Sequence, residues 1–311
     1  AESPCMSSDE ALYQVQFSSS SSEKPQPINV HSDINGKVRL VKAALDGQLY
    51  FLKEVPCTSA KNAQELLFWE IQALQLADRC ENLTSLHKHW WDAKSASAIT
   101  LTECCSGGLA PEYLKKLMFR EVAVRNVVLG ALNALKTLHS NGLMHGNCVL
   151  QNFFVSPVLL DSEQAIYSTI KLGNFGATKP NLSYMRSHFK QLPYEVQFGD
   201  IQEPIHTRLP HDDILQFGSS LLQFVGKKTV LRFQSPLRRI IFLMAGFIQS
   251  SQCIPINDPV AVCEDEFIDL KYCPYAAADL LAELERYGSV RSNDLRKAKL
   301  LDEYRYSENE V

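Results

Sequence analysis

Glycine is scarce where a phosphate-binding protein needs it. The first 100 residues hold only Gly36 and Gly47. A glycine-rich loop that lays backbone N–H groups over phosphates is therefore absent from that stretch. Basic charge is not in excess either. There are 31 Lys and Arg against 35 Asp and Glu, a formal net charge of -4. No basic footprint for nucleic acid is expected. No apolar run reaches the roughly 18 residues of a membrane span. The longest, 240–248, is interrupted by Gly246 and predicts a buried helix. No C-x-x-C pair and no Cys/His cluster points to a bound metal. No secretory signal pattern opens the sequence. Its first residues are small and polar, as in a processed or recombinant form.

What is present is enough for a large core. The chain has 311 residues, 45% of them hydrophobic. That length suits one bilobal domain or two ordinary ones. Nine cysteines stand at 5, 57, 80, 104, 105, 148, 253, 263 and 273. The count favours disulfides in an oxidising compartment over scattered buried thiols. Two sequons, Asn82-Leu83-Thr84 and Asn181-Leu182-Ser183, fit secretion.

Residues 1–32 read as a partly flexible extension, with a serine run at 18–22 and a weak strand pattern at Tyr13–Phe17. A turn at Asp33–Lys37 opens a β-rich lobe over 33–103. Strands are expected at 38–45 and 48–55, joined by Asp46-Gly47 as a hairpin turn. Helices are expected at about 60–77, 111–117, 120–140 and 213–225. In the third, Val122, Leu129, Leu132, Leu135 and Leu138 form the apolar face. A larger helical lobe thus spans 104–311, with a cysteine-containing insertion near 250–273.

One stretch organises the rest. His145-Gly146-Asn147-Cys148-Val149-Leu150-Gln151-Asn152 follows a long amphipathic helix. Some twenty residues later comes Gly173-Asn174-Phe175-Gly176. These resemble the catalytic and metal-binding loops of protein kinases, H-R-D-x-x-x-x-N and D-F-G. Both aspartates are asparagine here. Four further segments keep the kinase order: Lys53 in its strand, Glu70 in a following helix (Glu65 as runner-up), Leu192-Pro193-Tyr194-Glu195, and Asp213-Ile214-Leu215-Gln216-Phe217-Gly218. Between them, Thr102-Glu103 looks like a gatekeeper and hinge.

The resemblance implies an α+β, bilobal kinase-like fold with a small β-rich lobe that lacks a glycine-rich loop. The absent loop, the cysteines and the sequons narrow it. The chain resembles the secreted rhoptry-kinase-like proteins of apicomplexan parasites, in their "with-no-Gly-loop" branch. Lys53, Glu70, Glu103 and Asn152 are then vestigial nucleotide-binding positions. His145, Phe175, Gly176, Glu195 and Asp213 are motif residues with structural roles. Asn147 and Asn174 are degenerate catalytic positions. An amide cannot serve as the base that orients a substrate hydroxyl, and it is a poorer ligand than carboxylate for a hard cation. No metal and no cofactor are expected, with Mg-ATP binding weak or absent. Gly146 stands where the kinase H-R-D motif carries the arginine that usually receives a phosphorylated activation-loop residue.

The resemblance further implies a pseudokinase acting as a scaffold or allosteric partner in a parasite vacuole or cyst wall. The alternative is an atypical kinase with residual phosphotransfer. The partner is expected to be another protein; no nucleic acid and no membrane span are expected. Cys273 occupies the position of an arginine that normally pairs with Glu195, although Lys271 or Arg286 can substitute. A disulfide from Cys273 to Cys253 or Cys263 is expected instead, with the choice between partners left open.

Overall fold

The computed structural model describes residues 13–15, 29–33, 36–43, 47–156, 168–181, 209–249, 267–269 and 275–286. Cys253, Cys263, Cys273 and Glu195 lie outside these, so the expected disulfide and the Glu195 pairing do too.

The small lobe is a six-stranded antiparallel sheet with one helix. Its strands are β1 (Tyr13–Val15), β2 (Asn29–Asp33), β3 (Gly36–Ala43), β4 (Leu49–Pro56), β5 (Leu86–Asp92) and β6 (Ser97–Glu103). The order is β1-β3-β4-β6-β5, and β2 also pairs with β3. The lobe therefore starts earlier than residue 33: two pieces of the expected extension are strands of its sheet. The β3–β4 hairpin also differs from expectation. The Ala43 N–H donates to Gln48 O, and the Gly47 N–H donates to Ala43 O, each at 2.9 Å. Gly47 carries φ +69°. Strand pairing thus ends at Ala43 and Gln48, two residues short of the expected strand end at Leu45. Helix α1 (Ala60–Gln75) follows β4 and continues as a 3-10 turn to Arg79. It buries Leu67, Ala73 and Leu74, while Phe68 is 41% exposed.

The large lobe forms around α3 (Glu121–Ser140), whose Val124, Val127, Val128, Ala131, Leu132, Leu135 and Leu138 are fully buried. Helix periodicity puts these on one face. Val122 falls off that face and is 53% exposed, against expectation. Helix α2 (Ala110–Lys116) precedes α3. After it come β7 (Leu143–Met144), β8 (Phe153–Ser156), β9 (Thr169–Leu172) and β10 (Lys179–Pro180). β8 pairs with β9, and β7 with β10, both antiparallel. The helices α4 (Pro210–Val225), α5 (Lys227–Val230) and α6 (Ser235–Met244) complete the lobe with a helix α7 over 277–286.

The apolar run at 240–248 is not one helix. It breaks at Gly246, φ +81°, and Phe247–Gln249 becomes β11, paired with β12 (Phe267–Asp269). Among the described residues no helix is long and apolar enough to cross a membrane. Five cysteines, Cys57, Cys80, Cys104, Cys105 and Cys148, are free thiols. The expected excess of disulfides is therefore not met by these five. Cys57, Cys105 and Cys148 are buried, as small apolar side chains commonly are, and Cys80 and Cys104 are half-buried. The first sequon is also corrected. Asn82 is buried and donates its amide to Ile170 O at 2.8 Å, and Thr84 is buried beside it. A glycan has no room there in the folded chain.

Candidate functional site

Strand alternation and helix phase bring the first pair together. Lys53 projects from the middle of β4 toward α1, where Glu70 sits one face away from solvent. The Lys53 ammonium donates to both Glu70 carboxylate oxygens, at 3.1 and 2.9 Å. Both residues are 7% exposed. Glu70, the first choice, is the partner of Lys53.

The second cluster is built from the loop after β7. Asp213, near the start of α4, is 2% exposed. Its Oδ2 accepts the His145 N–H at 2.7 Å and His139 Nε2 at 3.0 Å; its Oδ1 accepts the Gly146 N–H at 2.8 Å. Burial alone pushes the Asp213 carboxyl up, but these donors outweigh it and hold the group below its ordinary value. His145 is fully buried. Its Nε2 donates to Gly173 O at 3.0 Å, and its Nδ1 accepts the Asn147 N–H at 3.3 Å. A carbonyl only accepts and an amide N–H only donates, so this ring is neutral with its proton on Nε2. Burial lowers its pKa in the same direction. Its ring stands edge-on to Phe175, centroids 5.3 Å apart. Phe175 is 1% exposed and packs in the core with Leu74 of α1.

Gly146 has a positive φ of +77°, and a Cβ there would collide with the carbonyl of Ala177. The backbone, not merely the side-chain chemistry, excludes arginine at this position.

The third cluster holds the asparagines. Asn174 adopts left-handed backbone, φ 62° and ψ 58°, which asparagine tolerates better than most residues. Its Nδ2 donates to Asn152 Oδ1 at 3.1 Å. Asn152 Nδ2 in turn donates to the Asn147 carbonyl at 2.7 Å. The three asparagines singled out in the sequence are thus one hydrogen-bonded chain.

These groups surround a narrow cleft, about 70 Å³ in volume and open to solvent on one side. Val38, Phe51, Lys53 and Thr100 line it from the sheet, and Asn152, Phe154, Gly173 and Asn174 from below. Thr102 and Glu103 stand at its hinge side. Glu103 is more occupied than a hinge residue in sequence suggested. Its Oε1 accepts the Ser85 N–H at 2.7 Å, and Lys171 donates to Oε1 and Oε2 at 2.8 and 3.0 Å. Each carboxylate lining the cleft, Glu70 and Glu103, is therefore paired with a lysine. Thr100 Oγ1 is buried in the cleft wall with no hydrogen-bond partner. Nearby thiols are muted: burial, helped by the Glu103 charge, pushes Cys105 up to about 12.

The arrangement of a buried lysine–glutamate pair, a histidine-led loop and an aspartate that anchors it is matched by the sequence family. The profile of the protein kinase domain matches residues 34–190, half of the chain. This chain belongs to the protein kinase family. A search of curated proteins found no match.

In kinase terms, Lys53 and Glu70 are the strand lysine and helix glutamate, and residues 145–152 are the catalytic loop. Asp213 is the aspartate that anchors it. Gly176 follows Phe175 in the short 3-10 turn after Asn174. Sequence reasoning missed Lys171 as the partner of Glu103, and it missed the facing rings of Phe51 and Phe154. Phe51 carried a readable signal. It lies two positions before Lys53, so β alternation puts both on the cleft face.

Proposed function

We propose that this kinase-domain chain is a pseudokinase: a catalytically impaired protein that works as a scaffold or allosteric partner. The observation that carries the reading is the hydrogen bond between Asn174 and Asn152. In active kinases these two positions hold the metal ions that neutralise the transferring phosphoryl group. Here they hold each other. Magnesium prefers several hard, mostly anionic or water oxygens in near-octahedral geometry. Two mutually bonded amides do not fit it. Asn147 adds a neutral amide where the hydroxyl-orienting carboxylate belongs. The residues present therefore do not fit a magnesium nucleotide.

The finer placement follows the motif resemblance. The missing glycine loop and paired Asp-to-Asn changes support a place among the secreted, rhoptry-kinase-like "with-no-Gly-loop" proteins, resembling their bradyzoite pseudokinase. Secretion into a parasite vacuole or cyst wall, with a protein partner, goes with that placement. A second reading, an atypical kinase with residual transfer, is favoured by one observation: the Lys53–Glu70 pair is intact.

Calorimetry with millimolar ATP and magnesium separates the two readings. No saturable heat is expected. A micromolar dissociation constant, equivalent to about -8 kcal/mol, would favour the atypical kinase. Reversion is the companion test. The variant Asn147→Asp with Asn174→Asp is expected to show no efficient phosphorylation of itself or a peptide. Turnover at ordinary kinase rates, about 1–100 per second, would show that the two asparagines alone silence the site.

A further inference from the structure

We infer that the rings of Phe51 and Phe154 form a built-in plug in the place a nucleobase would take, so that the cleft refuses nucleosides as well as nucleotides. The inference rests on the kinase-domain reading above and extends it from phosphate and metal to the base.

Phe51 comes from β4 in the small lobe and Phe154 from β8 in the large lobe. Both line the cleft. Their centroids are 5.9 Å apart and their planes are inclined by 45°. Stacked bases are spaced about 3.4 Å apart, so a base held between two rings needs them about 7 Å apart and parallel. These rings are closer and splayed, in direct aromatic contact with each other. Neither ring can retreat easily with its backbone. β4 is hydrogen-bonded on both sides, to β3 and β6. β8 is held by β9, with Phe154 opposite Lys171, and by a bridge from Leu109.

Two further features fit the plug. Gly173 makes room for it: a Cβ there would stand 2.9 Å from Cε2 of Phe154 and 3.0 Å from a methyl of Thr84. Lys171, across from Phe154, reaches Glu103 at the end of β6 and ties the lobes beside the rings. The polar part of the site is bonded to itself and the apolar part is packed against itself. Each fills its own half of the cleft.

A nucleoside separates this exclusion from the loss of phosphate and metal ligands. Adenosine needs neither. If only those ligands were lost, adenosine would bind to the wild-type chain as it would to any open base pocket. The experiment is calorimetry of adenosine, without magnesium, against the wild type and Phe51→Ala/Phe154→Leu. No saturation is expected for the wild type at millimolar adenosine. The double variant is expected to bind at least about tenfold more tightly, with a dissociation constant below 1 mM. Wild-type binding of adenosine overturns the plug while leaving the phosphate-and-metal reading standing. Tight wild-type binding of Mg-ATP overturns that reading itself. A folded double variant that still refuses adenosine also overturns the plug. Should the variant not fold, the wild type decides by NMR on phenylalanine-labelled protein. A ring-to-ring nuclear Overhauser contact between Phe51 and Phe154, unmoved by millimolar adenosine, is the expected result. Its absence, or its loss on adding adenosine, overturns the plug.

Discussion

Replacing Glu70 by leucine should destabilise the fold by about 3–5 kcal/mol, the usual cost of stranding one member of a buried ion pair. The Lys53 and Glu70 side chains are 9% and 7% exposed, and their contact is bidentate. With Glu70 gone, the ammonium stays in the cleft wall beside Thr100 and Phe175 with its main acceptor lost. The double change Lys53→Met/Glu70→Leu removes both charges and leaves apolar volume. It should recover most of the loss, because burying the pair gained little over an apolar pair in the first place. Urea unfolding midpoints of the wild type, each single variant and the double measure the coupling. A double variant as weak as Glu70→Leu would mean that the cost lies in packing and not in the stranded charge. In a catalytic kinase this pair is judged by activity. Here stability is the informative readout, since no turnover is expected.

Asp213→Ala should be equally severe. Three donors converge on this carboxylate: two backbone N–H groups of the catalytic loop and the His139 ring. Alanine leaves buried donors without an acceptor, at about 1–3 kcal/mol each, and the loop from His145 to Asn152 loses its anchor. Loss of cooperative unfolding, or a fall of the thermal midpoint by about 10 °C or more, is expected. Asp213→Asn keeps one acceptor oxygen and should fall between the wild type and alanine. The same site sets an acid limit. Asp213 has a folded-state pKa below its unfolded value of about 3.9. Its contribution is therefore full above that value and is lost as pH falls through the folded value. His145 is held neutral below its unfolded value of about 6.5. Its protonation in the unfolded chain starts to erode stability as pH drops under about 6.5. Thermal midpoints from pH 8 to 3 should therefore decline in two stages. Asp213→Asn should flatten the lower stage only. A flat profile across both windows would contradict the assigned proton positions.

The sequence exposed the fold through ordered local signals. The amphipathic run that became α3, the loop at 145–152 and the Asp213 segment each carry their own pattern, and their order gave the architecture. The Lys53–Glu70 pair was readable because a strand and a helix each impose a fixed face. What was not readable depended on long-range fit. Lys171 and Glu103 are joined only because β9 lies beneath the end of β6. No local period marks that. The ring contact of Phe51 with Phe154 likewise needs both lobes in place. The first sequon misled for a related reason. Asn82-Leu83-Thr84 is a surface signal only if the asparagine reaches solvent, and here it is a buried hydrogen-bond donor. The hairpin misled because a short Asp-Gly pattern does not reveal where the strands stop pairing.

Gly146 has a consequence for how this sequence can change over generations. Restoring an arginine there is not a single step. With the backbone left-handed and the Ala177 carbonyl where a β-carbon would stand, any side chain arriving first meets a collision before it offers a charge. The segment around Ala177 must move before the arginine can be accepted, yet that movement confers no benefit until the arginine is present. The order of substitutions is therefore constrained in one direction: losing the arginine is easy, and regaining it requires a coordinated pair. The neighbouring asparagines lack such a block, since each is one atom group away from aspartate in the same space. Among the departures from the kinase motifs, the glycine is the ratchet.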